Sequence, residues 1–165
     1  MNNPRIGIAQ NLPQGATYDL SLIDFGIQLF PTGIITFDFG TEPRSVTGIQ
    51  KLAQVYLKCL LTEKGSDLIN PSYGTGFYAA MVGGNRPFSN SSQALAYVQQ
   101  FIDDATQQVV SLTAGNDPAS TLKSVTISSV VINSDALQIG LYLLSQAGIG
   151  ASIAVPQPQL SMSTL

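Results

Sequence analysis

Histidine is absent from the 165 residues, and cysteine occurs once, at Cys59. The first absence removes the commonest metal ligand and the usual general base at neutral pH, so neither a Ser-His-Asp nor a Cys-His nucleophile can be assembled. The second excludes a disulfide framework and a thiolate metal cluster; a lone Cys59 on an apolar stripe reads as a small core hydrophobe. Charge is scarce as well. Asp, Glu, Lys and Arg together make up 10% of the chain, where roughly 25% is ordinary for a soluble domain. With 44% hydrophobic residues, such a surface is expected to spend its working life covered by partners. The seven basic residues lie scattered singly and the net charge is −3, which leaves no phosphate-binding stripe and argues against nucleic acid. No run approaches the roughly 20 apolar residues of a spanning helix. The start, MNNPRIGIAQ, lacks the basic-then-apolar layout of a signal peptide, so neither secretion nor membrane insertion is expected.

What is present is organised around Thr47 to Phe77. Thr47 and Gln50 have the spacing of a capping box. Ile49, Leu52, Ala53, Tyr56, Cys59 and Leu60 then recur at helical steps, with Gln50, Gln54 and Lys58 opposite. Thr62-Glu63-Lys64-Gly65 is expected to stop the helix. Asn70-Pro71-Ser72-Tyr73-Gly74-Thr75-Gly76-Phe77 follows as a shaped loop whose two glycines permit positive φ.

Upstream, residues 1–45 read as an extended arm with short strands. Ile35, Phe37 and Phe39 alternate with Thr36 and Asp38 at the period of a half-buried strand. Downstream, Ser89 to Ser92 offer caps for a second helix. Its apolar stripe is Ala94, Leu95, Val98, Phe101, Ile102, Ala105, Val109 and Leu112, its outer face includes Gln107 and Gln108, and Gly115 is its stop. Lys123 to Ile132 and Leu137 to Leu144 read as a hairpin about Asn133-Ser134-Asp135. Residues 148–165, with Pro156 and Pro158, are expected to be irregular. The fold class is therefore α+β: two main helices packed on a small, mostly antiparallel sheet, with an N-terminal arm (1–45), a core (46–147) and a C-terminal tail (148–165).

Candidate chemistry is thin. Asp24-Phe25-Gly26 and Asp38-Phe39-Gly40 spell a kinase magnesium triplet without the other kinase elements. Gly74-Thr75-Gly76 and Gly148-Ile149-Gly150 are fragments of a dinucleotide fingerprint without the third glycine or the later acid. Glu63 and Asp67 are the carboxylates nearest the loop, and a glycosidase would need such a pair. No catalytic residue, metal ligand or cofactor is expected, and the chain is read as no enzyme.

Ile49-x-x-Leu52, Leu60-Leu61-Thr62-x-Lys64-Gly65 and Asn70-Pro71-x-Tyr73-Gly74-x-Gly76 together resemble the baseplate wedge and sheath-initiator family of contractile-tailed phages. That family includes the small baseplate subunit of type VI secretion systems. The later order of an acidic, amide-rich helix and then a hairpin also agrees, over roughly Ser45 to Leu144. Two elements depart: the Glu-Pro-Arg triplet that the family carries after its second helix is replaced here by Ser111 to Pro118, with Glu42-Pro43-Arg44 preceding the first helix instead, and the N-terminal arm, residues 1–45, is longer and more strand-like than the family core requires. The resemblance implies a structural part of a virion tail baseplate, assembled in the host cytoplasm in about six copies around the tail axis. It implies the sheath subunit, other wedge proteins and the tail tube as partners, with sheath polymerisation nucleated by strand addition. The residues it points to for partner binding are Pro71, Tyr73, Gly74, Gly76 and Phe77 in the loop, and Val125, Ile127, Leu137, Ile139 and Leu141 in the sheet. A peptidoglycan hydrolase carried on the baseplate is the alternative.

Overall fold

The structure, a computed structural model, describes residues 18–20, 45–82, 88, 90–132 and 137–156. The elements in order are β1 (Tyr18–Leu20), β2 (Ser45–Thr47), α1 (Gly48–Leu61), α2 (Phe77–Val82), α3 (Ser91–Thr113), β3 (Leu122–Ile132), β4 (Leu137–Ser145) and β5 (Gly150–Pro156). The chain is α+β, with a three-stranded antiparallel sheet in the order β3-β4-β5 and a separate two-stranded ribbon, β1-β2. Of the arm, Tyr18–Leu20 pairs with Ser45–Thr47 of its own chain. The strand expected over Ile35–Phe39, the turn at Asn133–Asp135 and most of the loop after Val82 lie outside the described residues.

β4 forms the middle of the sheet and its side chains alternate as the pleat requires. Leu137, Ile139, Leu141 and Leu143 are buried beneath the helices, while Tyr142 faces out. β3 keeps its apolar residues on the same inner side only by slipping register twice, between Leu122 and Ser124 and between Ile127 and Ser129. Ile127 pairs with Leu141 and Val130 with Ile139, so two inward residues are three positions apart; one extra residue restores the parity, which is what a β-bulge supplies. The bulge crowds Gly140, where a Cβ would come within 2.4 Å of Ser129 Oγ. β5 is a correction to the sequence reading. Gly150–Pro156 forms seven residues of strand in continuous register with β4, because Ile153 and Val155 alternate with small residues and bury against the core. Two prolines nearby masked that pattern.

α1 touches β2, β4, β5 and both other helices, so its buried surface is wider than the expected stripe. Leu57 and Gln54 are buried with Leu52, Ala53, Tyr56, Cys59 and Leu60. Thr47 is its N-cap residue, but its side chain makes no capping hydrogen bond. Gly48 enters at φ +56°, away from the helical values a capping box needs at that position. The helix ends at Leu61, ahead of Gly65, since Thr62 turns to extended backbone while its Oγ1 donates to Lys58 O at 2.6 Å. α3 begins as expected, Asn90 Oδ1 accepting from Gln93 N at 2.9 Å. It ends at Thr113, with Gly115 at φ +86° beyond it. Its inner stripe is narrower than expected: Leu95 and Leu112 are exposed at 42% and 50%. Thr113 Oγ1 donates to Val109 O and accepts from Leu122 N, tying the end of α3 to the start of β3.

Candidate functional site

The loop from Thr62 to Gly76 is closed by backbone pairing between its two ends. Thr75 N donates to Thr62 O at 2.9 Å, and Lys64 N donates to Thr75 O at 3.1 Å. Thr75 Oγ1 donates to Leu60 O at 2.8 Å and accepts from Phe77 N at 3.1 Å, so one buried threonine serves both the last turn of α1 and the first of α2. Gly74 lies at φ +95°, and a Cβ there would sit 2.4 Å from Thr62 O; only glycine fits. Gly76, in contrast, is not at positive φ and has ordinary room against Phe101.

α3 holds the loop from the side. Gln108 Nε2 donates to Gly74 O at 2.9 Å, and Gly74 N donates to Gln108 Oε1 at 3.0 Å, so the side-chain amide pairs with the backbone as a neighbouring strand would. The same amide donates to Asp104 Oδ1 and accepts from Cys59 Sγ at 3.6 Å. Lys64 Nζ stands 3.5 Å from Asp104 Oδ2. Between loop and helix runs a groove of about 380 Å³ lined by Lys64, Asn70, Ser72, Tyr73, Gln107 and Leu112 among others.

The tip of the loop is held by short-range hydrogen bonds. Asp67 Oδ1 accepts from both Ile69 N and Asn70 N, and these donors hold its carboxyl below the ordinary carboxylate range. Tyr73 N donates to Asn70 O, and Ser72 Oγ to Asn70 Oδ1. The turn so made projects Leu68 and Ile69 into solvent, 95% and 96% exposed.

The residues singled out in sequence are distributed unevenly over these surfaces. Pro71 is exposed beside the tip; Tyr73 is half-buried, its hydroxyl pushed up to about 12 by burial. Gly74 shapes the backbone, whereas nothing at Gly76 requires glycine. Phe77 is buried, edge-on to Phe101 at 6.1 Å. Val125 and Ile127 are half-buried on the inner face of β3, while Leu137, Ile139 and Leu141 are buried in the central strand. Leu137, Ile139 and Leu141 hold the sheet together and offer no pairing edge, because β4 has a strand on each side. Edges belong to β3 and β5.

These edges differ. β3 carries two register irregularities and exposed Lys123, both of which discourage further pairing. β5 is regular and uncharged. Ser145 N donates to Ile149 O at 2.9 Å, and bonded and non-bonded pairs alternate along an antiparallel ladder. Gly150, Ser152 and Ala154 therefore fall in non-bonded pairs and direct their N–H and C=O groups away from β4. Among the described residues no strand takes up those groups.

Cys59 offers no reactive thiol. Burial pushes it up to about 11, with the Asp104 charge adding and the Gly74 backbone opposing. Because the folded value lies above the ordinary 9.0, this group's share of stability is whole below pH 9 and lost as pH rises through about 11. Alkylation of the native protein should accordingly be negligible at pH 8 and appear only on approach to pH 11. Labelling at pH 8 at the rate of a free thiol would contradict this.

No family model matches the chain, and no curated protein matches it in sequence. Among solved structures, the fold is similar to that of a Geobacter sulfurreducens protein described provisionally as a tail lysozyme, at a TM-score of 0.44 and 16% identity, over 70% of this chain and 93% of that one. That description names an enzyme and runs against the expectation of a chain without catalytic activity.

Proposed function

We propose that this chain is a component of a phage tail, and that it works there as an assembly piece of the baseplate whose β5 edge receives a strand from the sheath. The observation that carries the reading is the regular, uncharged, outward-facing ladder of Gly150, Ser152 and Ala154. Main-chain groups on such an edge supply affinity, and alternate side chains supply register. The motif running from Ile49 to Gly76 gives the tail context, and the clamped loop gives the sheet a fixed base: Thr75 and Gln108 lock the corner on which α1 and α3 meet.

Proline at Ala154 is the direct test. It removes an outward donor while leaving the β4 ladder intact, a position that edge strands tolerate. Ala154→Pro should retain a wild-type circular dichroism spectrum and thermal midpoint yet block sheath assembly on tails when supplied in place of the wild-type gene. Normal contractile tails with the variant would sink edge pairing on β5. Proline at Ile139 cannot make this distinction, since it would break the central strand.

The alternative, a peptidoglycan hydrolase on the tail, assigns roles to Glu63 and Asp67. Asp67 Oδ1 accepts from two N–H donors and Glu63 Oε2 from Ala79 N, and a hydrolase would have to use these two as its carboxylate pair. Turbidity clearing of cell walls by purified protein, lost in both Glu63→Gln and Asp67→Asn, would establish it; clearing absent in the wild type would remove it.

A further inference from the structure

Gly150 is not at positive φ, so its backbone does not call for glycine. The outer face of the sheet supplies the reason. Tyr142 pairs with Ser152, and its ring runs diagonally over β5 to Gly150. There an added Cβ would fall on Tyr142 Oη and come within 2.5 Å of Cζ. Diagonal neighbours across an antiparallel pair are within reach of an aromatic ring, and a ring laid over an edge glycine covers its bare backbone. That packing accounts for the ring but not for the hydroxyl, since phenylalanine would cover Gly150 equally well. Among the described residues Tyr142 Oη has no hydrogen-bond partner, and the side chain is 41% exposed. The free hydroxyl therefore occupies the side-chain position of Gly150 on the last strand of the sheet, beside the main-chain groups that no strand takes up.

An antiparallel strand added to β5 sets one residue opposite Gly150, with its side chain on the same outer face. Cross-strand Cβ atoms stand about 4.5–5.5 Å apart. With Tyr142 Oη in place of a Cβ, a polar atom one or two bonds beyond the Cβ of the incoming residue, as in serine, threonine or asparagine, closes that gap to hydrogen-bond length. On the inner face the same strand runs beside Ala151, Ile153 and Val155, of which the last two are buried in the core. Neither β4 nor β5 carries a charged side chain, so a charged strand would find no counter-charge on either. Resting on the reading of β5 as the receiving edge, we propose that Tyr142 selects the strand received. That strand is uncharged, aliphatic on its inner face, and carries a short hydroxyl or amide side chain opposite Gly150, bonded to Tyr142 Oη. A slip of one residue would turn an aliphatic side chain onto the hydroxyl, so the same contact pins the register.

The test is fluorescence anisotropy of the full chain with two labelled synthetic peptides. One alternates alanine and valine; in the other the central alanine is replaced by threonine. Wild type should bind the threonine peptide about 10-fold more tightly, the difference expected when a hydroxyl is covered with rather than without its bond. Tyr142→Phe keeps the ring over Gly150 and should reduce that preference to below about 3-fold. Gly150→Ala, which forces the ring off β5, should do the same. Both positions are exposed, and an unchanged circular dichroism spectrum would confirm the fold. Ala154→Pro should weaken both peptides equally, because the donor it removes serves either one. Equal binding of the two peptides by wild type, or an undiminished preference in Tyr142→Phe, would overturn selection by Tyr142 while Ala154→Pro still reports strand addition. If neither peptide binds wild type at about 1 mM, the weak limit of specific affinity, strand addition at β5 falls and selection falls with it.

Discussion

Gly74→Ala should destabilise the protein by about 3 kcal/mol, combining the cost of placing an L-residue at strongly positive φ with displacement of a backbone oxygen. The new Cβ would press on Thr62 O at 2.4 Å, and that oxygen is the acceptor for Thr75 N. The clash therefore opens the pairing of the loop's two ends. Once Gly74 shifts, Gln108 loses both of its backbone partners, leaving polar groups without their bonds. Gln108→Ala attacks the same clasp from the other side and should cost about 1–3 kcal/mol. Because the two changes share one set of bonds, their effects should fall short of additive in the double variant. Urea unfolding followed by circular dichroism would show a lowered midpoint at unchanged slope. A Gly74→Ala protein with wild-type midpoint, or full additivity with Gln108→Ala, would refute the clasp. Gly65→Ala makes a useful contrast: φ is also positive, at +89°, but nothing lies within 4 Å of the added Cβ, so only the conformational cost remains.

The clasp also shows where sequence reading stops. Local periodicity finds α1, α3, β3 and β4 because each has an apolar rhythm set by its own geometry. Gly74 is legible because Asn-Pro-x-Tyr-Gly already marks a turn. Gln108 is not: steps of three and four place it on the seam shared by Phe101, Ala105 and Leu112, but an amide on a seam looks like an outer-face residue until its backbone partner, 34 positions away, is known. Leu68 and Ile69 were equally visible, two aliphatic residues between Asp67 and Asn70, but nothing local says that a turn will point both outward. β5 was hidden for a different reason. Its apolar content is only Ile153 and Val155 among small residues, too little for a strand signal alone, and it becomes one through pairing with β4. The edge that carries the proposed function is thus fixed by non-local pairing, which explains why Leu137, Ile139 and Leu141 drew attention instead.

Leu141→Ala should produce the largest loss of stability, about 3–5 kcal/mol, because the residue is fully buried at the centre of the sheet and the cavity left behind cannot collapse easily. On β3 it is paired with Ile127 and on β5 with Ile153, so its removal takes apolar contact from all three strands at once. Against a total of roughly 5–15 kcal/mol for a typical domain, that loss leaves little margin. Its neighbour Tyr142 provides the internal control. It points to the opposite face, 41% exposed, and truncation there should cost far less despite the larger side chain. Thermal unfolding of both variants would decide: comparable midpoints for Leu141→Ala and Tyr142→Ala would mean that the helices do not pack on the face assigned to them. The same pair bears on assembly. Leu141→Ala should abolish strand addition by loosening the sheet that presents the edge, with a fall in thermal midpoint to match, whereas Ala154→Pro should abolish it with the midpoint retained. Only a chain whose edge and core are separately encoded, in outward backbone on β5 and inward leucines on β4, can give both outcomes.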